Sequence, residues 1–328
     1  MSQHLKEIPA IGGKSSNVWP KVTVIVPVYN QIRYVERTLD SVLDCGYPNI
    51  EIIIIDDASS DGSQSAVRSW CEKHPSWSVT FVEHPINMGV CKTLNDAIEH
   101  AQGDYVCLLA ADDLLLPNGI VDRVQYLEQH PEKLAVFADC QVIDADGNLL
   151  YNSGIEDLYP AAGMRKALLA FDELIPSSIV FHWAVPGPVF MCRAETYNSI
   201  GRYDETLQVE DWDMYLRIAA ENKLGFIPTS VARYRVHQFS MCATRQERIS
   251  IDMYTVAKKN CRHFGFANAL RLRSNMKKYQ CARASSRFAR LMFYLQHLFF
   301  LKTSVLFYRL KRKAIVLKSH RRISISDR

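Results

Sequence analysis

A chain of 328 residues with 48% apolar and 23% charged side chains has the composition of a folded globular protein and excludes a disordered one. Its formal charge of +4 conceals a division: residues 258–328 hold 19 Lys and Arg against one acid, Asp327, while the other 257 residues hold 20 against 34 acids. Nine cysteines without a C-x-x-C pair exclude a disulfide framework and a zinc ribbon, and point to a reducing compartment.

Residues 1–20 lack the apolar run that a signal peptide requires and read as an N-terminal extension. VTVIVPVY (22–29) predicts a buried strand, and Ile32, Val35, Leu39 and Val42 then recur at helical spacing until Gly46 and Pro48 stop the helix. EIIIIDD (51–57) predicts a strand buried on both faces, followed by the loop ASSDGS and a helix marked by Val67, Trp70 and Cys71. VTFVEH (79–84), a helix through Leu94, Ala97, Ile98 and Ala101, and YVCLLA (105–110) continue the series. Repeated β-α units predict a mostly parallel sheet with helices on both faces. A further helix and the strand LAVFADCQVID (134–144) lead to an Asp146-Gly147 hairpin turn. Residues 153–188 read as irregular and VFMCR (189–193) as a short strand. Residues 211–221 read as a helix with Trp212, Tyr215, Leu216 and Ala219 inward, and FIPT and VARYRVH as two last strands. This α/β domain spans 21–244; the basic, helical character of 245–328 sets it apart as a tail.

Open α/β sheets bind ligands at the carboxyl ends of their strands. Three predicted strands end there in polar pairs: Tyr29-Asn30, Asp56-Asp57 and Asp112-Asp113. The last pair interrupts the apolar run LLAADDLLLP (108–117), where ionised carboxylates need partners. One reading is helix capping, although Asn118 lies closer to the helix start. The other is a hard divalent cation, since Mg²⁺ or Mn²⁺ takes one or two acids together with phosphate oxygens. Glu210-Asp211 opens a predicted helix, where acids suit the dipole, and also offers a carboxylate as general base. Pro186-Gly187-Pro188 is a candidate wall of an acceptor cleft. No G-x-G-x-x-G follows the first strand, no H-E-x-x-H or G-x-S-x-G occurs, and IGGKSS (11–16) lacks the first glycine of a P-loop.

VTVIVPVYN, EIIIIDDASSDGS, NMGVCKTLNDAIEHAQGDYVCLLAADD and VEDWDMYLRIA, in that order, resemble a family 2 glycosyltransferase of the GT-A fold over residues 20–240. The resemblance implies a Rossmann-like α/β domain that transfers a sugar from a nucleotide-sugar donor, a UDP-sugar first, to a hydroxyl with inversion. It places Pro27, Tyr29 and Asn30 at the nucleotide pocket, with Tyr29 stacking on the base and Glu36 nearby. Asp57 would accept the base N3–H, Asp56 would support that loop, and Lys92 would reach nucleotide or phosphate. In the DXD-type element Asp113 would ligate Mn²⁺ or Mg²⁺, buried enough to be rigid and open enough to hold the ion, while Asp112 contacts ribose or sugar. Asp211 would be the general base and Glu210 would assist acceptor binding. Arg235 would bind phosphate, and His237 has two readings, a structural histidine or a ligand completing the metal site.

The tail lies outside the resemblance. LMFYLQHLFFLKTSVLFY (291–308), flanked by Arg287 and Arg290 on one side and Arg309, Lys311, Arg312 and Lys313 on the other, fits an interfacial helix on anionic lipid. A helix packed on the catalytic domain or on a second copy is the alternative. The expected partners are therefore a nucleotide sugar, a glycan or lipid-linked acceptor of surface polysaccharide synthesis, and the cytoplasmic membrane face, with no nucleic acid. A nucleotidyltransferase would need a Gly-rich basic loop that VPVYNQIRY lacks. A scaffold or RNA-binding protein would interleave aromatics with bases, and here the aromatics cluster in one apolar stretch.

Overall fold

The computed structural model describes residues 19–159, 163–208, 210–238 and 246–326. Most of the N-terminal extension and the expected domain boundary at 244–245 lie outside those residues. The chain divides into two compact units: residues 1–160, 184–206 and 223–237 form the first, and 161–183, 207–222 and 238–328 the second. The tail thus shares its unit with two segments that the sequence places inside the α/β domain.

The first unit is one nine-stranded sheet, β1 (Val22–Val28), β2 (Ile50–Asp56), β3 (Ser78–Glu83), β4 (Tyr105–Leu108), β5 (Leu114–Leu115), β6 (Ala135–Ile143), β7 (Leu149–Tyr151), β8 (Met191–Arg193) and β9 (Leu224–Arg235). The order is β3-β2-β1-β4-β8-β6-β9-β5, with β7 on β6. Parallel pairing holds across β3-β2-β1-β4, as the β-α units predict. Beyond β4 the sheet is mixed: β8 runs antiparallel to both β4 and β6, while β6 and β9 are parallel. Every residue of β2 is buried, which is why four consecutive isoleucines suit it. Alternate residues Val22, Val24 and Val26 of β1 and Ile52 and Ile54 of β2 pack with Val35 and Leu39 of α1 (Val35–Leu43) and Trp70 of α2 (Ser63–Lys73). On the same sheet α3 (Val90–His100) packs on β1 and β2.

Three elements differ from the sequence reading. Helix α1 begins at Val35, and Ile32 lies exposed in the turn before it, because Gln31 and Ile32 direct their N–H groups to side chains of another loop. FIPT and VARYRVH form the single strand β9, whose register jumps where Pro228 removes a ladder donor and ends at Arg235. Residues 153–188 contain a π-turn (Gly154–Leu158) and short helices at Lys166–Leu169 and Ile175–Phe181. The π-turn is anchored by buried Asp139, which accepts from Ser153 Oγ at 2.6 Å and from the Ile155 N–H at 3.1 Å.

Helix α4 (Gly119–Gln129) starts against β9, and a Cβ on Gly119 would stand 2.3 Å from the Val231 carbonyl oxygen. Gly119→Ala is expected to lower stability by about 1–3 kcal/mol, because β9 backbone must retreat. Urea unfolding checks this; an unchanged midpoint would show that the contact relaxes freely.

Among its described residues the second unit is helical, with Glu210–Ala220, Gln246–Asn260, Phe266–Arg283 and Arg287–Ser326. Asp213, almost fully buried, joins two of these helices by accepting from Arg217 Nε (2.9 Å), Lys259 Nζ (3.1 Å) and Asn260 Nδ2 (2.8 Å).

Candidate active site

The carboxyl ends of β1, β2, β4 and β9 lie on one rim of the first unit's sheet. The β1 and β2 loops are zipped together there. Asn30, in the left-handed region at φ 54°, accepts the Ser60 N–H on Oδ1 and donates its own N–H to Ser59 Oγ, both at 2.9 Å. An asparagine tolerates that conformation better than most side chains. Pro27 precedes it in β1, Tyr29 stands 42% exposed beside it, and Glu36 is exposed on the first turn of α1.

Asp56 is buried and uses Oδ1 to accept from the Ser59 N–H (2.7 Å) and Gln64 Nε2 (2.8 Å), while Oδ2 is buried without a partner. Asp57 is engaged otherwise than the family resemblance implies. Its carboxylate organises the segment 84–89, accepting the Met88 and Gly89 N–H groups at 2.7 and 2.9 Å and facing His84 Nδ1 at 2.9 Å. His84 Nε2 lies 3.2 Å from Asp96, which also holds Lys92 one helical turn earlier. The Lys92 ammonium is therefore tied into an Asp57–His84–Asp96 chain. Sequence reading missed His84 and Asp96, since a histidine ending β3 and an acid inside α3 carry no local motif. An open recess of about 500 Å³ lies alongside, lined by Ala58, Ser59, Gln64, Glu83, His84 and Pro85.

The turn after β4 is held from α1, with Thr38 Oγ1 2.9 and 2.8 Å from the Ala111 and Asp113 carbonyl oxygens. Asp113 is 1% exposed and accepts the Arg235 N–H on Oδ1 at 2.7 Å. Burial, and then the neighbouring Asp112 carboxylate, push Asp113 well above the usual carboxylate range. The expectation of an open Asp113 is thus corrected: the side chain turns inward, where the Arg235 N–H holds it. Asp112 is the accessible member of the pair, and its Oδ2 lies 2.9 Å from His237 Nε2. Arg235 clamps the same turn, its Nε donating to the Asp112 carbonyl oxygen (2.7 Å) and an Nη to those of Asp144 (3.0 Å) and Ala145 (3.3 Å). Its guanidinium also lies over the Tyr34 ring at 4.7 Å. Arg235 therefore acts first as a brace.

Donor chemistry permits a metal at Asp112 and His237. Their Oδ2–Nε2 separation of 2.9 Å is a hydrogen bond, which a cation held by both would replace. The buried His237 Nδ1 has no partner, so nothing on the ring's far side fixes which nitrogen carries the proton. Among the described residues no group of three or more His, Cys, Asp or Glu converges on a metal position. A cation here would need the remaining ligands from a bound molecule, as Mg²⁺ and Mn²⁺ commonly do with diphosphates.

Glu210 and Asp211 belong to the second unit, where they open the helix Glu210–Ala220. Asp211 Oδ1 accepts the Trp212 N–H at 2.6 Å, and fully buried Trp212 anchors the helix by donating Nε1–H to the Ile179 carbonyl oxygen at 3.3 Å. Burial pushes Asp211 up to about 6. Burial, and then the Asp211 charge, push Glu210 up to about 8. A carboxyl titrating near neutrality is suited to taking up a proton there. Elsewhere burial raises the thiols of Cys45, Cys107, Cys140 and Cys192, which makes them poor nucleophiles.

The strand order and the ligand-binding rim define the first unit's class: a GT-A fold, the architecture of nucleotide-sugar glycosyltransferases. S. aureus TarS 1–349, solved in complex with UDP-GlcNAc, matches at a TM-score of 0.58 and 18% identity, covering 79% of this chain and 71% of that one. The Pyrobaculum calidifontis mannosyltransferase PcManGT, solved with GDP-Man and Mn²⁺, matches at 0.60 and 22% identity, covering 90% and 86%. Residues 23–170 match the profile of Glycosyl transferase family 2, and the relatives that match the chain indicate a glycosyltransferase. A glycosyltransferase-like protein of Bacillus subtilis, EpsE, is 28% identical over 250 residues, 75% of this chain and 84% of its own length. The chondroitin synthase of Escherichia coli is 25% identical over 262 residues, 80% of this chain but 34% of the synthase.

Proposed function

We propose that the enzyme transfers a sugar from a UDP-sugar to a hydroxyl of a glycan or lipid-linked acceptor in surface polysaccharide synthesis, with inversion at the anomeric carbon. The observation that carries the reading is the Asp112–His237 pair at the carboxyl rim. Asp112 and His237 would hold Mn²⁺ or Mg²⁺, which when bound neutralises the charge developing on the departing diphosphate. Asp113 and Arg235 keep that turn rigid, Asp56 Oδ2 offers an acceptor for a base N–H, and Tyr29 offers a ring to stack on. Asp211, in its ionised form, takes the proton of the attacking hydroxyl. Glu210, protonated to higher pH, remains able to donate a hydrogen bond to the acceptor. TarS and PcManGT supply precedent for UDP- and GDP-sugars, and the family resemblance favours UDP.

The reading places the enzyme at the cytoplasmic face of a membrane. In the helix Arg287–Ser326, Phe288, Leu291, Leu295, Phe299, Leu306 and Leu310 are all exposed, at the 3-, 4- and 7-residue spacings of one face. From Phe288 to Leu310 the helix rises about 33 Å, with Arg287 before this stretch, Lys311, Arg312 and Lys313 after it, and Arg290, Lys302 and Arg309 within it. An exposed apolar stripe bounded by bases suits anionic lipid.

Thermal unfolding with UDP, GDP, dTDP and CDP, each with and without Mn²⁺, tests the donor and the metal together. UDP at 100 times its dissociation constant is expected to stabilise by about 2.7 kcal/mol, and only with Mn²⁺ present. A shift with GDP alone would change the donor; no shift with any nucleotide would overturn the reading.

A further inference from the structure

Asp57 is fully engaged within the protein. Its side chain is 6% exposed, and its two oxygens serve three partners: Oδ1 accepts the Met88 N–H at 2.7 Å and faces His84 Nδ1 at 2.9 Å, while Oδ2 accepts the Gly89 N–H at 2.9 Å. Its backbone is tied as well, the N–H to the Val28 carbonyl oxygen at 2.8 Å and the carbonyl oxygen to Asn87 Nδ2 at 3.2 Å. The segments it joins include two residues at positive φ, Ala58 at 61° and Gly89 at 85°. Ala58 has no polar side chain to favour that conformation, which persists only where the surroundings fix it.

His84 completes the arrangement. It follows β3 directly, donates its own N–H to the Asp56 carbonyl oxygen at 2.8 Å, and has a side chain 9% exposed. Nε2 lies 3.2 Å from Asp96 Oδ2, and the other Asp96 oxygen holds Lys92. An ionised carboxylate only accepts, so Nδ1 donates to Asp57. The Asp57 contact is the shorter and more enclosed of the two, since the Asp96 side chain is 24% exposed and open to solvent screening. The same ring lines the open recess together with Ala58, Ser59, Gln64, Glu83 and Pro85. One imidazole therefore joins the loop after β2 and the loop after β3, which both wall the recess, to α3.

We infer that His84 is a positioning residue for the nucleotide: by bonding Asp57 it holds the two loops in the form that a nucleotide base meets. The inference rests on the transferase reading of this rim and adds to it a residue that lies outside the four motifs of the family resemblance.

The test is calorimetric titration of UDP, with Mn²⁺ present, into the full chain and into His84→Asn, His84→Gln and His84→Ala, beside the melting temperature of each without nucleotide. The asparagine amide takes the place of Nδ1 and still donates to Asp57. The glutamine amide takes the place of Nε2, reaches towards Asp96 and keeps bulk at the recess wall. A lost hydrogen bond to a charged group is expected to weaken UDP binding about tenfold in His84→Gln and His84→Ala, with His84→Asn within about threefold of the parent. Rescue by asparagine and not by glutamine separates bonding to Asp57 from filling the wall. Parental UDP affinity in His84→Gln, whatever its melting temperature, would show a histidine that serves stability alone and would overturn the inference. Binding in His84→Asn as weak as in His84→Gln would overturn the role assigned through Asp57. A parent chain that titrates with neither UDP nor GDP would overturn the transferase reading and the inference with it, so the two failures are told apart by the parent's own titration. Cooperative melting of each variant establishes that it folds.

Discussion

Asp211→Asn is expected to lower kcat by about 10²- to 10⁴-fold, the usual contribution of a positioned general base, while UDP binding stays within twofold of the parent enzyme. The asparagine preserves shape and the Oδ1 that accepts the Trp212 N–H, so the loss isolates proton transfer. The pH profile carries a sharper signature. A base works when deprotonated, and burial raises Asp211 to about 6, so kcat/KM of the parent enzyme is expected to climb with pH and level off above about 6 to 7. In the asparagine variant that rise should vanish. The stability consequence runs the opposite way. Both carboxyls have folded-state values raised above their unfolded ones, so both hold protons more tightly when folded. Their contribution is complete below the unfolded values near 4 and is lost as pH rises through about 6 for Asp211 and about 8 for Glu210. Glu210→Gln is therefore expected to raise the melting temperature more at pH 9 than at pH 5. Equal gains at both pH values would show that the glutamate is not held protonated.

Asp112→Asn is expected to abolish the Mn²⁺ dependence of UDP binding and to reduce kcat/KM by about 10³-fold or more, since the charge on the leaving diphosphate would lose its counter-ion. Asp113→Asn should behave differently. Its Oδ1 can still accept the Arg235 N–H, and a neutral amide suits a buried position at least as well as a carboxylate. Metal-dependent binding should therefore persist in Asp113→Asn, and His237→Ala should fall between the two. Titrating Mn²⁺ against UDP-induced stabilisation in the three variants decides the matter. The reverse order, with Asp113→Asn losing the metal and Asp112→Asn keeping it, would restore the ligand assignment implied by the family motif.

How much of this was legible beforehand depended on distance along the chain. Strands β1 and β2 announced themselves because burial on both faces forces runs such as IIII, and the polar residues ending them marked the rim. The choice between two adjacent aspartates was not legible. Both lie in the turn between β4 and β5, and which of them faces Arg235 and His237 is settled more than a hundred residues later by the pairing of β9. Two-residue β5 is held by antiparallel pairing with β9, more than a hundred residues on, and by the Leu115 N–H donating to Ser41 Oγ at 3.0 Å, and has no pattern of its own. The Asp57–His84–Asp96 chain joins three segments that carry no shared motif. Pro228 hid the continuity of β9 because a proline ordinarily ends a strand and here is accommodated by a register shift. The membership of 161–183 and 207–222 in the second unit depends on helix packing, which composition does not encode.

The pairing of Asp112 with His237 spans 125 positions. Strands β1 to β4 are complete by residue 108, and a chain still being synthesised can arrange them as a parallel quartet with largely local crossovers. A fragment made through residue 113 has Tyr29, Asp56 and Asp112 but neither the arginine that braces the turn nor the histidine that faces the carboxylate. On the proposed reading, the groups at this turn come together only when β9 docks, so a shorter chain carries the residues assigned to the nucleotide without the brace and the histidine beside Asp112. Capture of a divalent ion would then, on that reading, mark a chain made through residue 237 with its first unit closed.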